Sequence, residues 1–324
     1  MSHPQLKPTK TIDIFESNLQ PIGYFVLKAR KKLEKWKQGI PDGRSTGFKT
    51  LDPYLRLVES EYTLIAARPS MGKTSLAMQI AERVSYQLRD EGDNGVVAIF
   101  SAEMAGDELT IRMAAGITGV NIHILRNKPI STYRSRVDIE KRENDIRLVE
   151  DAFNDIEQNQ HMWIDDGSGP TTKTMLDRLS ELNEILPVRL MLFDFAELGG
   201  DIGQSEELRI GIIHKALKAI AKTLNIPVIS LSQLNREVEK RTDKMPQMAD
   251  LRYSGMAEQI ADKVIFIMRP EYYIGRMMTV GDIPDEDREG VAYIMIAKNR
   301  NGPAGAMVKL RYEGDRTRFE DMPI

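Results

Sequence analysis

From Tyr62 onward the chain repeats one pattern, a short continuously apolar run followed by an amphipathic stretch. YTLIAA, GVVAIFS, HMWID, VRLMLFDF, IPVISL and DKVIFIM are the strand candidates, with helical periodicity near 73–90, 105–116, 172–185 and 205–224. Strands without polar alternation must be covered on both faces, and the helices that connect parallel strands are what cover them. The pattern predicts an α/β fold around a mostly parallel sheet. After Val291 the helical signal ends: VAYIMIAKN and AMVKLRY, joined by RNGPAG, predict an antiparallel hairpin, and RTRFED a further short strand.

The N-terminal part reads differently. Residues 1–21 are polar, carry Pro4, Pro8 and Pro21, and predict a flexible arm. Ile22, Phe25, Val26, Ala29, Leu33 and Trp36 then recur at three- and four-residue spacing, one apolar stripe on a helix that Gly39 and Pro41 end. Its other face carries Lys28, Arg30, Lys31, Lys32, Lys35 and Lys37, so the helix either docks on its own core or a neighbouring subunit, or lies on a membrane surface. The expected division is an arm over 1–21, a docking helix over 22–41 and the α/β domain over 42–324. Segment 131–160 is dense in both signs of charge and reads as a solvated helical face rather than a binding patch.

Composition excludes several classes. Among 324 residues, 41% hydrophobic and 29% charged, there is ample material for a core, so a chiefly disordered chain is ruled out. The absence of cysteine removes disulfides, a thiol nucleophile and thiolate metal sites, and four His leave little for a His-rich metal centre. With 45 Lys+Arg against 48 Asp+Glu, the net charge of −3 does not announce nucleic acid. MSHPQLKPTK lacks the apolar core of a signal peptide, and no run reaches the roughly 18 apolar residues that span a bilayer. The expectation is a cytoplasmic protein without a membrane partner.

The chemistry begins where YTLIAA runs into ARPSMGKTS and then a helix, the context of a phosphate-binding loop. Arg68, Pro69, Ser70, Met71, Gly72, Lys73, Thr74 and Ser75 form that loop, whose backbone N–H groups would wrap a β-phosphate at the helix N-terminus. Lys73 would bridge the β- and γ-phosphates, and the Thr74 hydroxyl would hold Mg²⁺. The opening position, Gly in the usual pattern, is Ala67. VRLMLFDF places Asp194 at the end of a buried strand, the ligand edge of a parallel sheet, either to orient a metal's water shell or to cap a helix. Glu103 follows another such strand, either to polarise an attacking water or, it or Ser101, to cap the next helix. IPVISL ends in Ser232-Gln233, where Gln233 either senses a γ-phosphate or simply closes the strand. Lys298 and Arg300 alternate near the hairpin turn and are two solvated charges or a pair aimed at a phosphate on a neighbouring subunit.

Together these motifs resemble the C-terminal ATPase domain of the DnaB-type replicative DNA helicases, in the RecA-like P-loop superfamily. The likeness runs from about Ile22 to the C-terminus through TGFKTLD, AARPSMGKT, AIFSAEM, WIDD, LFDFAEL, LKAIAKTLNIPVISLSQLNREVEKR, DLRYSGMAEQIADKVIFIMR and IAKNRNGPAG. Members of this family also open the loop with AARPS, which accounts for Ala67. Carried over by position, Lys73 and Thr74 look like the nucleotide and Mg²⁺ residues, Asp194 like the Walker B residue, Glu103 like the base-like carboxylate and Gln233 like the sensor. Lys298 and Arg300 look like the pair that acts in trans, with Arg300 the arginine finger.

The resemblance further implies a homohexamer with ATP between subunits, moving 5′ to 3′ on single-stranded DNA through its centre, with a loader and a primase as partners and the helix before TGF docked on the adjacent subunit. The DNA loops would fall at roughly 199–209 and 236–255, with Arg209, Arg236, Lys240, Arg241 and Gly255 as contacts. Three departures stand out. Only a short arm stands where family members carry a helical collar domain that binds primase, as expected either of a phage or mobile-element member or of a shortened chain, so recruitment of primase through that domain is not implied. The first DNA loop, GGDIGQSEELR, is short and acidic, and the Glu usual in DLRxSG is Tyr253. The competing readings are a RecA- or RadA-like recombination ATPase and a loader or regulator that keeps the fold. LSQLNR, DLRYSG and KNRNGP weigh against the first, and Lys73, Thr74, Glu103, Asp194 and Arg300 together against the second.

Overall fold

The computed structural model describes residues 20–128, 132, 135–251, 254–275 and 283–322. They fall into two units that part between Gly43 and Arg44. The first unit holds one helix, α1 (Ile22–Lys37). Past its end the chain turns at Gly39 with φ +72°, a conformation that costs glycine little. Ile22, Phe25, Leu33 and Trp36, the stripe read from the spacing, are exposed on it.

The second unit is a nine-stranded sheet in the order β3-β2-β4-β5-β1-β6-β7-β8-β9. The strands are β1 (Tyr62–Ala67), β2 (Val96–Ser101), β3 (Met162–Asp165), β4 (Val188–Asp194), β5 (Val228–Gln233), β6 (Lys263–Met268), β7 (Val291–Asn299), β8 (Met307–Glu313) and β9 (Arg318–Asp321). Between them lie α2 (Lys73–Glu91), α3 (Gly106–Thr118), α4 (Ile122–Asn127), α5 (Arg136–Asn159), α6 (Thr172–Ile185), α7 (Glu206–Leu224), α8 (Ser254–Ile260) and α9 (Pro270–Ile274). Neighbouring strands from β3 to β6 are parallel, and β7, β8 and β9 extend the sheet antiparallel, as the loss of helical periodicity after Val291 predicts. The short helices α4, α8 and α9 lack enough turns to show a periodicity and are not legible in the sequence.

Burial on both faces explains the unbroken apolar runs. On β1, Ile65 and Ala67 join the core formed with Leu76 and Ile80 of α2 and Leu109 and Met113 of α3. Leu64 and Ala66 join the opposite core with Met175 and Leu179 of α6 and Ile213 and Leu217 of α7. Tyr62 enters this second core with its hydroxyl satisfied by His214 and Ser230, each 2.6 Å away. The doubly charged segment forms α5, in which Val149, Ala152 and Asn159 are the buried residues, so most of that helix is a solvated face.

This topology sets two edges. The C-terminal ends of β1, β2, β4, β5 and β6 lie along one, followed there by the loops that begin at Arg68, Ala102, Phe195, Leu234 and Arg269. Because β7 runs against β6, pairing Lys263 with Asn299, the turn carrying Arg300 lies at the opposite edge.

Candidate functional site

The loop from Arg68 to Gly72 joins β1 to α2 and folds back over the helix N-terminus. Gly72 sits at φ +88°, and a Cβ there would come within 2.8 Å of the Phe319 ring, so both backbone and packing demand glycine. No side chain caps α2, which leaves its first N–H groups to an anion, with the helix dipole aligned to favour one. These groups open onto a cavity of about 580 Å³ lined by Ser70, Gly72, Lys73, Thr74, Glu103 and Gln233, among others. The Lys73 ammonium lies 4.4 Å from the centre of the Phe195 ring, held at the cavity wall.

The side chains of two loop residues are engaged elsewhere. The Met71 side chain is 1% exposed and packs in the core rather than lining the cavity. Arg68 donates to Glu239 (2.8 Å) and to the Leu234 carbonyl (2.7 Å), tying the loop to the turn after β5 rather than presenting its guanidinium to a phosphate. Whatever these two contribute to an anion comes from their backbone.

Asp194 closes β4 with 2% exposure, and neither of its carboxylate oxygens has a hydrogen bond of ordinary geometry. Burial raises its pKa above the usual carboxylate range, while the Lys73 ammonium and the nearby Thr74 hydroxyl pull it down. Asp194 caps no helix. A buried carboxylate with open lone pairs beside a threonine hydroxyl fits a hydrated divalent cation. Among the described residues no cluster of three or more acidic or His side chains could hold a metal unaided, so phosphate oxygens and water would complete its shell. If the open carboxylate serves such an ion, it should weaken the fold without one. Asp194→Asn should therefore raise the thermal midpoint of the nucleotide-free protein, by about 1 kcal/mol, while lowering ATP hydrolysis; a midpoint at or below wild type would show that Lys73 already compensates the charge.

Glu103 lines the cavity from the turn after β2 and is exposed. The capping alternative does not apply: α3 begins after Ala105 without a side-chain cap, Gly106 N–H donates to Asp166 (2.9 Å), and Ser101 closes its own turn onto Met104. Gln233 lies at the end of β5 directly beside Ala67, the residue that opens the loop. Five wall residues escaped the sequence reading: Met104 and Phe195, each next to a residue that was read, and three that stand further from any motif. Arg112 on α3 and Tyr312 and Thr317 from the antiparallel extension line the cavity, and Arg269 stacks 3.7 Å over Tyr312 while donating to the Ser70 carbonyl (2.9 Å). Arg269 follows β6 at the ligand edge, the same positional signal that marks Asp194; the other three carry no local signature.

Lys298 and Arg300 do not line this cavity. Lys298 donates to the Glu258 carbonyl, while Arg300 reaches Asp262 (3.2 Å) and the Gln259 carbonyl (3.1 Å), so both lie against the connection from α8 to β6. Burial and the neighbouring Arg300 push the Lys298 pKa down from the ordinary lysine value. Six residues of strand, roughly 20 Å at about 3.3 Å each, separate their edge from the loop.

The five DNA candidates divide. Arg209 is clamped by Glu206 and by the carbonyls of Gly199 and Glu197, and Arg241 forms a bidentate pair with Asp250 at 2.7 and 2.8 Å. Both hold loops together within the chain. Arg236 and Lys240 are exposed, Lys240 with Glu237 at 2.7 Å, and nothing lies within 4 Å of a Cβ built on Gly255. Tyr253 lies outside the described residues.

The family model of the DnaB-like helicase C-terminal domain matches residues 43–321. The chain belongs to this family. It is 35% identical over 319 residues to the replicative DNA helicase DnaB of Haemophilus influenzae, covering 97% of this chain and 61% of that one. It is 35% identical over 283 residues to the replicative DNA helicase DnaB of Buchnera aphidicola subsp. Acyrthosiphon pisum, covering 86% and 56%. The chain thus spans little more than half the length of these relatives. Among solved structures, a DnaB-like replicative helicase described with its primase interactions superposes with a TM-score of 0.76 at 27% identity, over 95% of this chain and 68% of that one. An ATPase domain superposes equally well, with TM-score 0.76, 28% identity, and 94% and 99% coverage. The RecA-like α/β core expected from the motifs is therefore the DnaB-like ATPase fold. Among the described residues no helix is long and apolar enough to cross a membrane.

Proposed function

We propose that this chain is the motor of a replicative DNA helicase: a hexameric ring that hydrolyses ATP with Mg²⁺ and moves 5′ to 3′ on single-stranded DNA to unwind duplex. The observation that carries this reading is that the candidate residues divide between the two edges of the sheet. Lys73, Thr74, Asp194, Glu103 and Gln233 gather at one edge, while Lys298 and Arg300 stand on a hairpin at the other. In a head-to-tail ring the hairpin of one subunit meets the loop of the next.

In that arrangement the α2 N-terminus and Lys73 hold the β- and γ-phosphates. Thr74 and Asp194 would hold Mg²⁺, which would neutralise part of the phosphate charge when bound. Glu103 accepts a proton from the attacking water, and the Gln233 amide registers the γ-phosphate. Arg300 from the neighbour meets the charge that grows in the transition state. The apolar stripe of α1 supports docking on a neighbouring subunit, in keeping with a division into arm, docking helix and ATPase domain at 21/22 and 41/42. Arg236 and Lys240 are the exposed cations for the DNA backbone, with Arg209 and Arg241 shaping the loops that carry them and Gly255 offering backbone access. Likeness to a replicative helicase described with its primase interactions supports a primase as a protein partner, while a loader rests on the family resemblance alone.

The test is ATP hydrolysis with and without single-stranded DNA, beside unwinding of a forked duplex with a 5′ tail. Stimulated hydrolysis together with unwinding is expected. Hydrolysis with DNA coating but no unwinding would favour the recombination ATPase, and no hydrolysis at all a loader or regulator.

A further inference from the structure

Glu197 is an acidic residue at the ligand edge that takes no part in the chemistry above. It stands three residues beyond Asp194, in a single turn of 3₁₀ helix over Ala196–Leu198. One carboxylate oxygen accepts the Ser232 hydroxyl and the Gln233 N–H, the latter at 2.9 Å. The other oxygen is buried without a partner. The Glu197 main-chain carbonyl in turn accepts from the Arg209 guanidinium at 2.6 Å, and the same guanidinium binds the Gly199 carbonyl. Arg209 thereby staples the two ends of the 199–209 loop to the residue that grips Gln233.

An acceptor needed only to finish the end of β5 would not leave half of a carboxylate buried without a protein partner, since an orphaned buried oxygen weakens the fold. The other strand beside Gln233 adds to this. Its strand neighbour is Ala67, and Leu234 N–H donates to the Ala67 carbonyl at 3.1 Å, so the residue lies between the phosphate loop and Glu197. Any displacement of the 199–209 loop that carries Arg209 along pulls on the Glu197 turn and so on the backbone of Gln233.

We propose that Glu197 is a positioning residue that acts through Gln233, fixing the sensor amide and linking its placement to the 199–209 loop, so that single-stranded DNA on this loop changes the rate of hydrolysis. The proposal rests on the helicase reading, in which Gln233 faces the γ-phosphate and the loop faces DNA. A purely structural glutamate would affect folding, or would lower hydrolysis equally with and without DNA.

The readout is the ratio of ATP hydrolysis with saturating oligo-dT to hydrolysis without it, together with KM for ATP. In Glu197→Ala this ratio should fall by about tenfold, within the usual span of coupling between two sites, with KM nearly unchanged. Glu197→Gln keeps a carbonyl oxygen for both donors and should restore most of the ratio. Ser232→Ala removes one donor to the same oxygen at a buried site and should give an intermediate loss. It also decides the matter if Glu197→Ala does not fold. A wild-type ratio in Glu197→Ala or in Ser232→Ala, or equal losses of both rates, would overturn the proposal. A wild-type protein that DNA does not stimulate would instead overturn the helicase reading, and this inference with it.

Discussion

Lys73→Ala should bring ATP hydrolysis and duplex unwinding to background. Lys73 is the first residue of α2, and its ammonium stands at the cavity wall over Phe195, close enough to Asp194 to draw that carboxyl toward its charged form. A triphosphate entering the cavity brings several negative charges toward a buried carboxylate, and Lys73 lies between them. Arg112 also lines the cavity, but it stands on α3, half-exposed and within 3.7 Å of Glu108, and does not take that place. Alanine should therefore abolish productive binding of the γ-phosphate, the interaction on which transfer to water depends. The variant should still fold, because the Lys73 side chain lies at the cavity wall, only partly buried, and belongs to neither packed core. Its nucleotide-free thermal midpoint should fall modestly, since Asp194 loses its nearest cation. Steady-state hydrolysis and a melting curve check both halves of this. Turnover at the wild-type rate would remove the phosphate-loop assignment.

The residues that most constrained the reading were those whose role depends on one element and its end. YTLIAA followed by Gly72-Lys73-Thr74 specifies strand, turn and helix locally, and the structure places them so. Asp194, Glu103 and Gln233 were legible as a group because parallel strands put all their C-terminal ends on one edge, so each strand assignment located a side chain without any knowledge of its neighbours. What the sequence could not show depended on contacts between distant segments. Tyr312 and Thr317 reach the cavity only because β8 and β9 fold over the phosphate loop, where the Tyr312 and Phe319 rings lie 4.7 Å apart. The inward turn of Met71 and the swing of Arg68 to Glu239 are rotamer choices set by packing. Arg209 and Arg241 looked like cations free for DNA because charge alone is visible in a sequence, whereas the partners that engage them, Glu206, Asp250 and several carbonyls, are visible only once the loops are folded.

Arg300→Ala should leave nucleotide affinity nearly intact and reduce hydrolysis by on the order of 10³–10⁵-fold, the range of fingers supplied from a neighbouring subunit. Within its own chain Arg300 is anchored, not idle: Asp262 and the Gln259 carbonyl hold its guanidinium, and its backbone N–H donates to the Asp262 carbonyl at 2.9 Å. Asp262 itself is buried, and its other carboxylate oxygen binds Lys218 at 2.6 Å and the Tyr62 N–H at 2.8 Å, so its charge keeps a cation partner without Arg300, and the variant should fold. What alanine removes is a cation on a hairpin at the edge opposite its own phosphate loop, and that loss can matter for hydrolysis only across an interface. The distinguishing experiment mixes Arg300→Ala with Lys73→Ala protomers. Each alone has no complete site. In a mixed ring, an Arg300→Ala subunit contributes an intact phosphate loop, its Lys73→Ala neighbour contributes an intact finger, and activity should partly return wherever the two meet. Rings that remain as inactive as either parent, with exchange of labelled protomers verified, would make Arg300 a support for Asp262 within its own subunit and remove the geometric reason for a ring.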